Sequence, residues 1–195
     1  VEAVKVVADL HGHDHCLPLN CRRRPLVYPR RGPQGRPMTW TAPTLERQDP
    51  PATGDERALL DGFLEFHRET LLWKCSRLTG EQLASRPLPT STMSLLGIVR
   101  HLTDVERHWF REVVAREDVQ FLYWGNPDRD SDFDDLRAED AERDFLAFLE
   151  ELEHSRAIQR TTELEAAVGD PADAEQHSYR WVLIHMIEEY ARHNG

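Results

Sequence analysis

The chain has 195 residues, of which 39% are hydrophobic and 30% charged, enough for one ordinary domain with a hydrophobic core. Its formal net charge of -11 comes from the part beyond residue 37, which argues against nucleic acid as a partner. No apolar run approaches the roughly 18 residues of a membrane helix, and no signal-peptide pattern opens the chain. We therefore expect a cytoplasmic protein with no membrane partner, and its three cysteines do not form a disulfide framework.

Residues 1–54 differ in composition from the rest of the chain. Stretches such as "CRRRPLVYPRRGPQGRP" are rich in Pro, Gly and Arg and show no lasting periodicity, which predicts a disordered or loosely attached extension. The cluster "HGHDHC" with Cys21 offers three histidines and two cysteines, but it lacks a second pair of ligands at zinc-finger spacing. A flexible polar tail is the preferred interpretation, and residues 55–195 form the predicted domain.

Four segments of this domain repeat apolar residues at three-to-four spacing, with no strand pattern between them. They span about residues 55–79, 95–115, 139–160 and 178–195. Ser91, Thr92 or Ser94 can cap the second helix, and Ser178 or a neighbour can begin the fourth. The pattern predicts an all-α fold, a four-helix bundle preceded by the irregular extension.

An acidic stretch, "YWGNPDRDSDFDD", separates the second helix from the third. Its aspartates can attract a cation, but they lack the spaced oxygen ligands and the glycine turn of a calcium-binding loop. The composition therefore favours a solvated loop.

The last helix carries more titratable residues than its apolar character leads one to expect. A helical wheel places His193 inside the apolar face and Glu189 on its border, whereas His185, Glu188 and Arg192 point to the opposite side. The outward residues are expected to form ordinary surface pairs. The inward pair, a carboxylate and an imidazole at i and i+4, can reach one metal ion.

A metal site needs a third protein ligand, which a facing helix of the bundle can supply. In the second helix His101 lies at the border of the apolar face, so periodicity permits it as a ligand without requiring it. Glu106 projects within the apolar face, where a carboxylate needs a partner. It can accept a hydrogen bond from a ligand histidine, pair with an arginine, or lie at the rim of a slightly rotated helix.

The stretches "MSLLGIVRHLTDVERHWF", "YWGNPD" and "RWVLIHMIEEYARHNG" resemble the DinB-like metal-binding four-helix superfamily, and its mycothiol transferase-like branch in particular. The resemblance covers roughly residues 55–195 and implies that His101, Glu189 and His193 bind a divalent metal, zinc first and nickel second. This His-Glu-His set is similar to that of mycothiol-dependent maleylpyruvate isomerase. Family members usually continue beyond the "HNG" end, so the resemblance also indicates a truncated carboxyl terminus.

The resemblance further implies an S-transferase. Three protein ligands leave an open position on the ion, where a low-molecular-weight thiol of the mycothiol type can lose its proton before attacking a small electrophilic substrate. Two other classes stay open: a non-enzymatic stress-related bundle or dimerisation module, and a metal-dependent hydrolase. Independently of the function, a homodimer is the expected assembly. The hydrolase is disfavoured because "HMIEE" departs from the H-x-x-E-H pattern at its last position.

Overall fold

The structure is a computed structural model that describes residues 39–88, 90–125, 131–134, 136–170 and 176–195. The histidine and cysteine cluster at residues 11–21 lies outside the described residues. The described part of the chain is mostly helical, which confirms the predicted all-α bundle. Among these residues, no helix is both long enough and apolar enough to cross a bilayer.

Four long helices build the bundle. They are α1 (Glu56–Cys75), α3 (Leu95–Glu106) with a π-helical continuation (Arg107–Val114), α5 (Ala141–Thr161) and α6 (Tyr179–Asn194). Shorter elements connect them: α2 (Gly80–Ala84), α4 (Ser131–Asp134), a 3-10 turn (Ala138–Asp140), and the antiparallel strands β1 (Ala167–Val168) and β2 (His177–Ser178). The four long helices match the four predicted ones, whereas the short elements carry too few residues to show a periodic pattern.

Both helices that matter most for the site begin at a serine cap. The Ser94 hydroxyl accepts a hydrogen bond from the backbone N–H of Gly97 at 3.1 Å, and Ser178 accepts one from Trp181 at 3.2 Å. Each serine satisfies one of the N–H groups that the first turn of a helix leaves unpaired. Of the three candidate caps for the second helix, Ser94 is therefore the one used.

The helices α1 and α6 run in parallel and pack against each other. Arg180 in the first turn of α6 binds Glu56 at the start of α1, and Asn194 at the end of α6 donates to the His67 carbonyl. On the other side of the bundle, α3 packs against α5. The helices α3 and α6 lie beside each other in opposite directions, so the start of α3 faces the end of α6.

Part of the predicted extension lies against the bundle. Ala42 is only 2% exposed and donates its backbone N–H to the carbonyl of Leu78 at 2.9 Å. The ring of Trp40 packs edge-on against Phe145 with centroids 5.8 Å apart. Trp40 and Ala42 lie between Pro37 and Pro43 and form no helix or strand, so no periodic pattern in the sequence predicts that they pack against the bundle. The boundary at residue 54 remains a prediction.

Candidate metal centre

The three side chains proposed as ligands meet between α3 and α6. The Nε2 atom of His101 lies 3.2 Å from Oε1 of Glu189, and Nε2 of His193 lies 3.1 Å from the same oxygen. The two imidazole rings are 4.8 Å apart between centroids. One ligand atom from each residue falls within 4.8 Å of the others, so the group is compact enough to hold a metal ion.

The periodicity of α6 explains why two of these residues share one edge. Its buried face consists of Tyr179, Val182, Leu183, Met186 and Tyr190. Glu189 and His193 lie beside that face, one helical turn apart, and both are half-buried. Since α3 runs antiparallel to α6, His101 in its second turn reaches the carboxyl-terminal end of α6, where the pair lies.

The group is shielded from solvent without being sealed off. The side chain of His101 is 26% exposed, that of Glu189 is 14% exposed and that of His193 is 15% exposed. Partial burial strengthens the electrostatic interactions among the three side chains, because less water screens them. The remaining exposure leaves a path by which a small molecule can approach.

Electrostatics holds the group together when no ion is bound. Burial lowers the pKa of His101, but hydrogen bonds to Asp132 and Glu189 outweigh it and raise that pKa to about 9. The hydrogen bonds from His101 and His193 hold the pKa of Glu189 well below its ordinary value, against the opposing effect of burial. The metal-free protein therefore keeps a protonated imidazole beside an ionised carboxylate at neutral pH.

This arrangement predicts a steep pH dependence of metal affinity. A cation can bind Nε2 of His101 only after its proton leaves, and the pKa of that group is about 9. Below pH 9 the apparent affinity should therefore fall with decreasing pH, with a slope that approaches but does not exceed about tenfold per unit for this one proton, and it should level off above pH 9. Competition with a chromophoric chelator across this range measures the slope. A flat profile would show that His101 is not protonated in the metal-free protein.

A carboxylate that the sequence placed in a solvated loop touches the centre. Asp132 in α4 is only 4% exposed, and its Oδ2 lies 2.8 Å from Nδ1 of His101. The prediction of a solvated loop is wrong at this residue, because α4 folds back onto α3 and the imidazole supplies a polar partner. The aromatic residue within the acidic run, Phe133, was the one signal in the sequence that this stretch packs against something.

The structure gives Glu106 a different partner from the ligand histidine. Its two carboxylate oxygens accept hydrogen bonds from Nε and Nη2 of Arg68 at 2.7 and 2.8 Å, and Oε1 also accepts one from the Tyr190 hydroxyl at 2.7 Å. The arrangement matches the arginine alternative. Besides Glu189 itself, the carboxylate that contacts a proposed ligand histidine is Asp132 of α4, not Glu106.

The outward residues of α6 divide into two environments. Glu188 and Arg192 form the expected surface ion pair. His185 instead stacks on Trp181, with ring centroids 5.0 Å apart and planes 5° apart, and its centroid lies 4.7 Å from that of Trp109. His185 is thus part of an aromatic cluster between α6 and the π-helical turn.

Fold and site together define a class: a four-helix bundle in which two histidines and a glutamate from antiparallel helices can hold a metal ion. A family model described as mycothiol-S-transferase matches residues 59–195. The chain belongs to the mycothiol-S-transferase family, which confirms the resemblance inferred from the sequence. Comparisons with curated proteins and with solved structures returned no match.

Proposed function

We propose that the protein is a metal-dependent S-transferase that activates a low-molecular-weight thiol for attack on a small electrophile. The observation that carries the proposal is the convergence of His101, Glu189 and His193 in a chain of the mycothiol-S-transferase family. Family membership supports a thiol as one substrate, and the three side chains support a metal ion as the activating group. A cytoplasmic location and a homodimer remain predictions.

The donor set favours zinc, with nickel as the second choice. Two imidazole nitrogens and one carboxylate oxygen suit zinc, nickel and other borderline divalent cations better than calcium or magnesium, which prefer oxygen ligands. Three protein ligands leave the open position that is typical of catalytic zinc sites. A cation held there supplies Lewis acidity, which lowers the pKa of a thiol bound at that position.

No cysteine of the described residues is suited to be the nucleophilic thiol. Cys75 is the cysteine within the described residues, and it is fully buried in α1. Burial raises the pKa of its thiol to about 12, although Lys74 opposes the shift, so almost none of it is ionised near pH 7. A small thiol that reaches the partly exposed triad of His101, Glu189 and His193 can fill the nucleophile's role, whereas Cys75 cannot.

The side chains of the triad and its neighbours set the charge and the surroundings of the position where such a thiol would bind. The ionised carboxylate of Glu189 would neutralise one of the two positive charges of a bound divalent cation, and an anionic sulfur bound beside it would neutralise the other. His185 lies one turn before Glu189 on α6, and the ring of Trp109 from the π-helical stretch packs against it, so an aromatic pair lies next to the glutamate's end of the site. The bound thiol would give its proton to water, and its sulfur would bond to the electrophilic carbon of the second substrate while the bond from that carbon to its leaving group breaks, the leaving group departing with the electron pair.

Cobalt substitution tests the proposal directly. Cobalt(II) in the site should give a charge-transfer band from thiol sulfur to metal when mycothiol is added, because the open position accepts the thiol as a ligand. Glutathione and cysteine serve as controls for selectivity. A cobalt-loaded protein whose spectrum does not change with any thiol would keep the metal site and reject the transferase function.

A further inference from the structure

The short helix α4 packs onto α3 directly beside one of the proposed ligands. Asp132 is 4% exposed, and its Oδ2 lies 2.8 Å from Nδ1 of His101. The next residue, Phe133, places its ring 5.4 Å from the His101 ring between centroids. One carboxylate and one aromatic ring from the same turn therefore hold the imidazole from the side opposite Glu189.

We propose that Asp132 is a positioning residue of the metal centre, which accepts the Nδ1–H of His101 and leaves Nε2 free to bind the ion. The proposal rests on the proposed function, since it assigns a role at the same site. A neutral imidazole has one N–H donor and one acceptor nitrogen, and a hydrogen bond at one nitrogen decides which form is present. A carboxylate at Nδ1 fixes the form in which Nε2 carries the lone pair.

Packing alone does not account for an aspartate at this position. Its second oxygen, Oδ1, is buried and has no hydrogen-bond partner among the described residues. Burying a carboxylate with an unpaired oxygen costs free energy, so an apolar residue would serve a packing role better. The carboxylate accepts a hydrogen bond from Nδ1 of His101, which an apolar side chain cannot do.

Gly97 provides the space that lets α4 approach. It lies one turn before His101 on α3, and a β-carbon built on it would come within 2.7 Å of Cδ1 of Phe133. Such a contact is too close for carbon atoms, so a larger side chain at this position would displace the Phe133 ring, which belongs to the same turn of α4 as Asp132. Gly97→Ala therefore offers a second route to disturbing Asp132, since it leaves the carboxylate itself intact.

Zinc affinity of the full chain, measured by competition with a chromophoric chelator at pH 9 or above, where protons compete little with the ion, tests the proposal. Asp132→Ala should weaken zinc binding roughly 10- to 100-fold, the usual effect of removing a partner that orients a ligand histidine. Asp132→Asn keeps a side-chain oxygen that can accept the Nδ1–H, so it should lose less affinity than the alanine variant. Gly97→Ala should weaken binding in the same direction. The matched control is Asp134→Ala, which removes an exposed carboxylate of α4 that pairs with Arg86.

A readout of the histidine itself separates positioning from stability. Nitrogen NMR of the zinc-loaded protein should show the His101 proton on Nδ1 in the original chain and in Asp132→Asn, and a changed Nδ1 signal in Asp132→Ala. Normal zinc affinity and an unchanged Nδ1 signal in Asp132→Ala, together with loss of zinc in His101→Ala, would overturn the role of Asp132 alone. Unchanged zinc binding in both variants would overturn the metal centre and this proposal with it.

Discussion

Alanine at His101, Glu189 or His193 is expected to abolish stoichiometric zinc binding. Each substitution removes one of three protein ligands, and the ligand atoms that remain come from only two residues. The loss of affinity should exceed the roughly 10- to 100-fold change that follows from losing an orienting partner, because a coordinate bond itself disappears. Metal analysis of each purified variant after dialysis against a weak chelator measures the effect.

His185→Ala is the matched control for this series. His185 is also a histidine of α6, one turn before Glu189, but its ring stacks on Trp181 and does not reach the triad. Its replacement should leave zinc content unchanged. Loss of zinc in this variant, or retention of zinc by any of the three ligand variants, would contradict the assignment of the ligands.

The triad was predictable because two of its members obey helical periodicity. The spacing of Glu189 and His193 places them on one edge of α6 whatever the details of packing, and the structure keeps them there. Periodicity did not decide the role of His101, because the helical wheel places it at the border of the apolar face of the second helix. The family resemblance selected it, and the antiparallel packing of α3 and α6 supplies the physical reason why it can reach the pair.

The contacts that the sequence did not reveal all depend on which segments meet in three dimensions. Asp132 lies in an acidic stretch with no periodic pattern; its neighbour Phe133 indicates that the stretch packs against something, but not that α4 folds back onto His101. The wheel correctly placed Glu106 inside the bundle, but it cannot tell which helix supplies the partner. Arg68 from α1 does so across the core, whereas a ligand histidine was the competing choice.

The π-helical geometry that follows α3 could not be predicted from the sequence either. Residues Arg107–Val114 are π-helical, and the backbone N–H of Ala115 bonds to the carbonyl of Phe110. A single π-helical stretch shifts apolar residues by a fraction of a turn, which a short periodic window does not distinguish from an α-helix. Its effect on the site is local, since Trp109 in this stretch packs beside His185.

Glu106→Ala should be among the most destabilising single substitutions in the bundle. The side chains of Glu106 and Arg68 are both 0% exposed, and two short hydrogen bonds join them in a forked pair. Removing the carboxylate leaves a buried guanidinium without its hydrogen-bonded counter-charge, with only Glu65 of the described residues at 3.7 Å, which costs on the order of 3–5 kcal/mol. For a chain of this size that corresponds to a melting temperature about 6–20 °C lower, measured by calorimetry or circular dichroism.

Two further groups depend on the same carboxylate. The hydroxyl of Tyr190 donates to Glu106 at 2.7 Å, and burial raises the pKa of this phenol, which keeps it protonated as a donor. Arg68 also donates to the side-chain oxygen of Gln159 at 3.0 Å. The cluster thus joins α1, α3, α5 and α6 at the centre of the bundle, so the loss of Glu106 disturbs every long helix at once.

A double variant shows whether the unpaired charge is the cause. Arg68→Met combined with Glu106→Leu removes both charges and fills much of their volume, so it should cost less stability than the two single variants added together. Glu188→Ala, which breaks an exposed ion pair of α6, should change the melting temperature little. If Glu106→Ala melts like the original chain, or if the double variant loses as much as the sum of the single ones, the buried pair does not stabilise the bundle through its mutual charge.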